Sequence, residues 1–228
     1  LAASHGAPSK AQNGVLFLHM AGRNREDWQI LADKFEKAGS QVITVDLRGH
    51  GGSPLAAPLA PADWVAMAAD VKAALAYLYA RGCTRVAIVG AELGANLAIN
   101  AGAEDPRVRT VVMLSPGIDY KGVIAMDAVR RFGERPLLIV ASADDSYGAR
   151  SAGALSAAAA GPHELKLYDT AGKGTRMLNR EAGLELLVLG WVSSHWAGEI
   201  TVAPPPAAIQ VQTRPLETSG PTQPDAPK

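Results

Sequence analysis

The chain has 228 residues, of which 48% are hydrophobic, and it carries 22 basic and 22 acidic side chains. This length suffices to bury one α/β core without metals or disulfides. The balanced charge gives no overall field that would attract nucleic acid or an anionic membrane, so neither is expected as a partner. The single cysteine, Cys83, excludes an internal disulfide. No apolar stretch reaches the roughly 20 residues of a membrane span.

Residues 1–13 form a short lead ahead of the first predicted strand. The chain begins at Leu1 and continues with small and polar residues, which suggests that an upstream segment has been removed. On this ground an exported protein is slightly favoured over a cytoplasmic one, and the compartment is otherwise unknown.

Residues 14–197 alternate short apolar runs with longer segments of helical spacing. Each run is nearly continuous in apolar character, as is typical of parallel strands buried on both faces. The predicted strands are 15–19, 41–46, 85–89, 110–114, 137–141 and 165–168, and the predicted helices are 25–37, 62–80, 93–101, 149–159 and 176–194, with 120–132 left uncertain. The alternation predicts one α/β domain with a doubly wound, mostly parallel sheet of about six strands. Its functional loops should gather at the carboxyl ends of the strands.

Residues 198–228 differ in composition from the rest of the chain. They contain Pro204, Pro205 and Pro206 and four further prolines, with few large apolar side chains. This composition favours extended chain, and we interpret the segment as a Pro-rich tail or linker. A ligand for an SH3-like protein partner is the weaker alternative.

The segment after the third predicted strand has the spacing of a catalytic motif. It reads Gly90-Ala91-Glu92-Leu93-Gly94, which is the G-x-S-x-G strand-to-helix elbow with glutamate in place of the nucleophilic serine. Three other segments accompany it: Leu18-His19-Met20-Ala21-Gly22-Arg23, Asp46-Leu47-Arg48-Gly49-His50-Gly51-Gly52-Ser53, and a strand that runs from Pro136 and ends in Ala143-Asp144-Asp145.

These four landmarks, in this order, make residues 14–196 resemble a compact α/β-hydrolase of the esterase or dienelactone-hydrolase type. The first is similar to the family's His-Gly oxyanion loop, the second to its D-x-R-G-x-G-x-S turn, and the last to the strand that precedes its acid. Only about 22 residues separate strands 110–114 and 137–141, too few for an inserted lid domain, so any substrate cleft should be open. Because only about 13 residues precede the first strand, the family's first sheet edge should be missing, shortened or cut away.

The resemblance assigns the site residues. Glu92 takes the nucleophile position, Lys173 the histidine position, and Asp145 the acid position, with Asp144 as the near alternative. The backbone N–H groups of Met20 and Leu93 take the oxyanion-hole positions. Met20 replaces a glycine there, but such a hole donates through the backbone, so this change alone need not abolish it.

Two functions follow from these replacements. Glu92 and Lys173 would meet as an ion pair, with Asp145 as a second acidic neighbour of the lysine, and the protein would be a pseudoenzyme that binds a small ligand or serves as a scaffold. The alternative is an active hydrolase of esters or related small substrates. It would use Glu92 as nucleophile or base, with Asp145 and Lys173 in support. A protonated lysine cannot accept the proton that such a cycle must transfer, which favours the pseudoenzyme.

The remaining polar residues receive structural interpretations. Ser115 should cap a turn rather than act as a nucleophile. His19 should hold the oxyanion loop through a hydrogen bond, and His50 should be architectural. Carboxylates at strand ends suit hard metals, and the candidate ligands are Glu92, Asp144, Asp145 and His19. Their spacing is no recognised ligand pattern and Lys173 would compete, so we expect neither a metal nor another cofactor.

Overall fold

The structure, a computed structural model, describes residues 2–6, 11–55 and 58–196. They lie in a compact unit that spans residues 1–198. The Pro-rich tail predicted for 198–228 lies outside the described residues. None of the helices in the described part of the chain has the length and hydropathy needed to cross a membrane.

Seven strands of the described chain form one sheet. They are β1 (Ala2–Gly6), β2 (Asn13–Leu18), β3 (Gln41–Asp46), β4 (Arg85–Ala91), β5 (Val108–Leu114), β8 (Leu137–Ser142) and β9 (His163–Tyr168). Their order is β1-β3-β2-β4-β5-β8-β9, and every pair is parallel except β1 with β3. Two short strands, β6 (Asp119–Tyr120) and β7 (Val123–Ile124), form a separate hairpin. All six predicted strands are present, so the mostly parallel α/β sheet is confirmed.

Strand β1 lies inside the segment that the sequence presents as a lead. It pairs antiparallel with β3, from Ala2 opposite Asp46 to Gly6 opposite Val42. Its sequence, Ala-Ala-Ser-His-Gly, carries none of the β-branched or aromatic residues that favour strands, so pairing with β3 rather than local preference forms it. One strand therefore lies beyond β3 at this edge of the sheet.

Six helices flank the sheet. They are α1 (Gln29–Lys37), α2 (Pro61–Ala80), α3 (Leu93–Glu104), α4 (Met126–Phe132), α5 (Ser146–Ala158) and α6 (Leu184–Ser194), among the described residues. The helix predicted over 176–194 was wrong in its first half, where a 3₁₀ turn (Gly174–Asn179) precedes α6. The uncertain segment 120–132 forms the second half of the hairpin and then α4.

The core has two layers, one on each face of the sheet. Along β2, Leu16 and Leu18 pack toward α2 to α5, whereas Val15 and Phe17 pack toward α1 and α6. Both faces of β2, β3, β4, β5 and β8 are buried, which explains why these strands read as continuous apolar runs. Since the parallel strands end at one edge of the sheet, the loops after β2, β4, β5, β8 and β9 converge there. No inserted lid domain lies between β5 and β8, where the 22 intervening residues contain only the hairpin and α4.

Candidate functional site

The turn from β4 into α3 holds Glu92 in a strained conformation. Its φ of 52° lies in the left-handed region that non-glycine residues rarely adopt. The glycines on either side allow the turn: a Cβ on Gly90 would lie 2.2 Å from the carbonyl oxygen of Gly94, and one on Gly94 would lie 2.3 Å from that of Leu18. The Gly-x-Glu-x-Gly sequence thus builds the elbow geometry and presents the side chain of Glu92 at the carboxyl edge of the sheet.

The carboxylate of Glu92 forms an ion pair with Lys173. Its Oε1 contacts the lysine Nζ, and its Oε2 accepts the backbone N–H of Ala21 at 3.2 Å. The Glu92 side chain is 10% exposed and the Lys173 side chain 35%. The contact that the sequence predicts between these two residues is therefore present, and the Glu92 side chain is largely buried even though no lid is inserted.

The loop after β2 supplies one hydrogen-bond donor to the site. That donor is the N–H of Ala21, one residue beyond the Met20 position that the resemblance indicates. The carbonyl oxygen of Met20 accepts from Nδ1 of His19 at 2.8 Å and from the N–H of Arg23 at 3.1 Å. A backbone donor of the predicted oxyanion loop is therefore occupied by Glu92 itself.

The two candidate acids have different partners from those expected. Asp144 accepts from the hydroxyl of Ser142 at 2.5 Å and from the N–H of Gly172 at 3.0 Å, and these bonds, Ser142 foremost, lower the pKa of its carboxyl. Asp145 caps α5 by accepting the N–H of Gly148 at 3.2 Å, and its Oδ2 is buried without a hydrogen-bond partner. In the described residues neither forms an ion pair with Lys173. Asp145, the expected second acidic neighbour of Lys173, caps α5 rather than forming an ion pair with the lysine.

Ser115 holds the loop that carries Lys173. Its hydroxyl accepts the N–H of Gly174 at 2.8 Å and contacts the sulfur of Met177 at 3.4 Å, in a fully buried position with a φ of 49°. A second bond, from the Thr175 hydroxyl to Asp27, ties the same loop to the turn before α1. Ser115 therefore positions a neighbouring loop, consistent with the structural role expected for it.

Tyr120 is a site residue that the sequence analysis missed. It lies in the β6–β7 hairpin, and the Nζ of Lys173 is 5.1 Å from the centroid of its ring. Burial and the nearby charges of Glu92 and Asp145 raise the pKa of its phenol far above the usual 10, so the hydroxyl group stays protonated. The one sequence signal for this hairpin is Gly122, which with Lys121 forms its two-residue turn, both residues having positive φ in the structure.

His19 holds the loops around the site and does not serve it as a base. Its Nδ1 donates to the carbonyl of Met20, and its Nε2 accepts the N–H of Leu47 at 3.0 Å. Burial lowers the pKa of this imidazole, so it is neutral. The expected loop-holding hydrogen bond is present. None of the described histidine side chains hydrogen-bonds to Glu92.

The two larger of three surface clefts in the described part of the chain lie outside the elbow. One of about 580 Å³ runs between α2 and α3 beside Tyr79. The other, of about 640 Å³, lies between Gly22 to Asp27 and Gly49 to Gly51. Neither is lined by Glu92 or Lys173. Within the described residues, no group of three or more histidine, cysteine or acidic side chains could hold a metal ion.

Comparisons with known proteins bear on this geometry. A sequence model described as the alpha/beta hydrolase family matches residues 15–220. A lipase-esterase related protein from Clostridium acetobutylicum is similar in structure, with a TM-score of 0.68, 16% identity and coverage of 83% of this chain and 98% of that one. Acetyl xylan esterase 1 from a Thermoanaerobacterium species gives a TM-score of 0.70, 16% identity, and coverage of 86% and 79%. An esterase from Exiguobacterium antarcticum gives a TM-score of 0.67 and 14% identity, with coverage of 84% of this chain and 94% of that one.

At these identities the likeness to solved structures concerns the fold. No curated protein matches the sequence significantly.

Proposed function

Because this chain belongs to the alpha/beta hydrolase family, we propose that it is a member without serine-hydrolase chemistry, a pseudoenzyme that serves as a ligand-binding or scaffold protein. The observation that carries the proposal is the Glu92–Lys173 ion pair at the catalytic elbow. Acyl transfer in this family needs a hydroxyl at the elbow and an imidazole to take its proton. The elbow residue of this chain is Glu92, and its ion-pair partner is an ammonium group, which supports the proposal.

The contacts of Glu92 also argue against its use as a nucleophile. The ammonium of Lys173 binds one oxygen and the Ala21 N–H binds the other, so both are engaged by positive or partly positive groups. An ester formed on Glu92 would have to be released by an activated water, and a protonated lysine cannot accept the water's proton. His19 uses both ring nitrogens elsewhere.

The experiment is hydrolysis of a short-chain chromogenic ester by the full chain, in parallel with E92A. We expect no rate above buffer and no difference between the two proteins. A rate that disappears in E92A would establish a working hydrolase with a carboxylate centre and would overturn the proposal.

A second arm restores the family's residues. E92S combined with K173H should create esterase activity, because Gly90 and Gly94 shape the elbow backbone and removal of the Glu92 carboxylate frees the Ala21 N–H. E92S alone is the matched control and should stay inactive, since its hydroxyl would have no base. An inactive double variant would show that further positions, the acid foremost, have also lost their catalytic geometry.

A scaffold role can be separated from ligand binding in the same protein. Binding of a partner through residues 198–228 should be unaffected by K173M and should be lost when that segment is deleted. A ligand bound at the elbow should show the opposite pattern.

A further inference from the structure

Strand β9 ends the sheet and is exposed on both faces. Residues 163–167 are all exposed, whereas every residue of the neighbouring β8 is buried. The side chains of Leu165 and Leu167 are 38% and 52% exposed. Within the described chain no strand pairs with the outer side of β9. An exposed, apolar edge strand is a template for pairing with another strand.

The hydrogen bonds between β8 and β9 determine which backbone groups face outward. The N–H of Leu137 donates to the carbonyl of Pro162 at 3.0 Å, and the N–H of Ala143 donates to that of Tyr168 at 2.8 Å. Between these two bonds the register is regular, with Leu137 opposite His163 and Ser142 opposite Tyr168. The N–H and C=O groups of successive residues point to opposite sides of a strand. The backbone groups of the even-numbered residues of β9 therefore point toward β8. The N–H and C=O groups of His163, Leu165 and Leu167 therefore point to the open edge.

The open edge lacks two of the features that usually block pairing, a proline and a bulge. Between His163 and Tyr168 there is no proline, and the pairing with β8 has no irregular step. Its two charges are opposite in sign, Glu164 and Lys166, and both belong to the same face. An edge of this kind can pair with a copy of itself if the register places these charges opposite one another.

We propose that two copies of this chain associate through β9, antiparallel and about a two-fold axis, with Leu165 opposite the partner's Leu165. In this register the outward groups of His163 and Leu167 meet those of the partner's Leu167 and the partner's His163. Glu164 then lies opposite the partner's Lys166, at the closer, non-hydrogen-bonded type of pair.

The neighbouring registers are disfavoured by charge. The outward-facing residues also match when the axis passes through residue 164 or through residue 166. Those registers place Glu164 opposite the partner's Glu164, or Lys166 opposite the partner's Lys166. Like charges directly opposite each other destabilise a strand pair, so the axis at Leu165 is selected. This assembly is independent of whether the chain catalyses a reaction.

The test is sedimentation equilibrium of the full chain over a range of concentrations. The expected mass rises from 23.7 kDa toward twice that value as concentration increases. E164K and K166E should each weaken association about tenfold or more, because two symmetry-related attractions become repulsions. The double variant E164K/K166E should restore it, and so should mixing the two single variants, whose edges carry opposite charge. Thermal melts of each variant check that the exposed substitutions leave the fold intact.

Amide hydrogen exchange supplies a second measurement. The amides of Leu165 and Leu167 should exchange slowly in the dimer and rapidly in E164K, with the even-numbered amides unchanged. A chain that stays monomeric at every concentration overturns the proposal. This holds even if the amides of Leu165 and Leu167 exchange slowly, because another segment of the same chain would then protect them. A dimer whose association is the same in E164K, K166E and the double variant also overturns the proposal, since another face would then form the interface.

Discussion

Two carboxylates at the carboxyl edge of the sheet have contrasting surroundings. Asp46, at the end of β3, is 1% exposed and accepts the N–H groups of Arg25 at 2.7 Å and Gly52 at 2.8 Å, in addition to the Arg25 guanidinium. Glu92 is 10% exposed, and its ion-pair partner Lys173 is more exposed than Arg25, at 35% against 28%. Asp46 therefore binds two backbone N–H groups and a guanidinium, whereas Glu92 binds one backbone N–H, that of Ala21, and the lysine.

The largest predicted effect is the loss of Asp46. We expect D46A to destabilise the protein by about 3–5 kcal/mol, because it leaves two backbone donors and a guanidinium without their shared acceptor. Chemical denaturation measures the loss. D127A is the matched control, since Asp127 forms an ion pair with Arg130 but is 80% exposed, and it should change stability by less than about 0.5 kcal/mol. Equal losses in the two variants would remove the contrast.

A smaller effect is expected at Lys173. K173M should lower the free energy of unfolding by about 1–2 kcal/mol, between the values for exposed and buried pairs, with a fall in Tm of roughly 3–6 °C. E92Q/K173M should recover part of that loss, because no charge is then left unpaired. K72M removes an exposed lysine paired with Glu104 and is the control. An unchanged melting curve for K173M would mean that solvent screens the pair.

The smallest effect concerns pH and His19. Because burial lowers its pKa below 6.5, the unfolded chain binds the proton first as pH falls. The stability it contributes is complete above pH 6.5 and is lost below it, at up to about 1.4 kcal/mol per pH unit. Denaturation between pH 7.5 and 5 should show this slope in the wild type and in H163Q, whose imidazole is exposed, but not in H19Q. A slope retained in H19Q would assign it to another group.

Asp46 should change the stability of the protein in a lower pH range than His19. Burial alone would raise its pKa, but the N–H groups of Arg25 and Gly52 and the Arg25 charge outweigh it and lower the pKa below 3.8. Its contribution is therefore present above pH 3.8 and is lost only below that value. The two groups can be separated by pH alone.

The parallel strands and the elbow were predictable because their signals are local. Continuous apolar runs identified the six strands, and glycines at 90 and 94 identified the turn that places Glu92. The pairing of Glu92 with Lys173 followed from the resemblance, which assigns these two residues the nucleophile and histidine positions although they lie far apart in sequence. Strand β1 gave no such signal, since Ala2 and its neighbours form a strand only by pairing with β3.

The parts of the site that the sequence did not predict depend on competition between nearby partners. Asp145 and Asp144 are adjacent in the sequence. Only the structure shows that Asp145 caps a helix while Asp144 accepts the N–H of Gly172. The donor to Glu92 is likewise Ala21 rather than Met20, a difference of one residue in a loop. Tyr120 reaches Lys173 only because the hairpin folds back, which spacing alone does not specify.

The close approach at Gly90 and Gly94 makes the elbow a fixed frame for redesign. A methyl group at either position would collide with main-chain atoms at 2.2–2.3 Å, so neither can change without moving a strand or a helix. The side chains of Glu92, Tyr120 and Lys173 carry no comparable restriction from those contacts. A small combinatorial library confined to these three positions would therefore sample different chemistries on one unchanged scaffold.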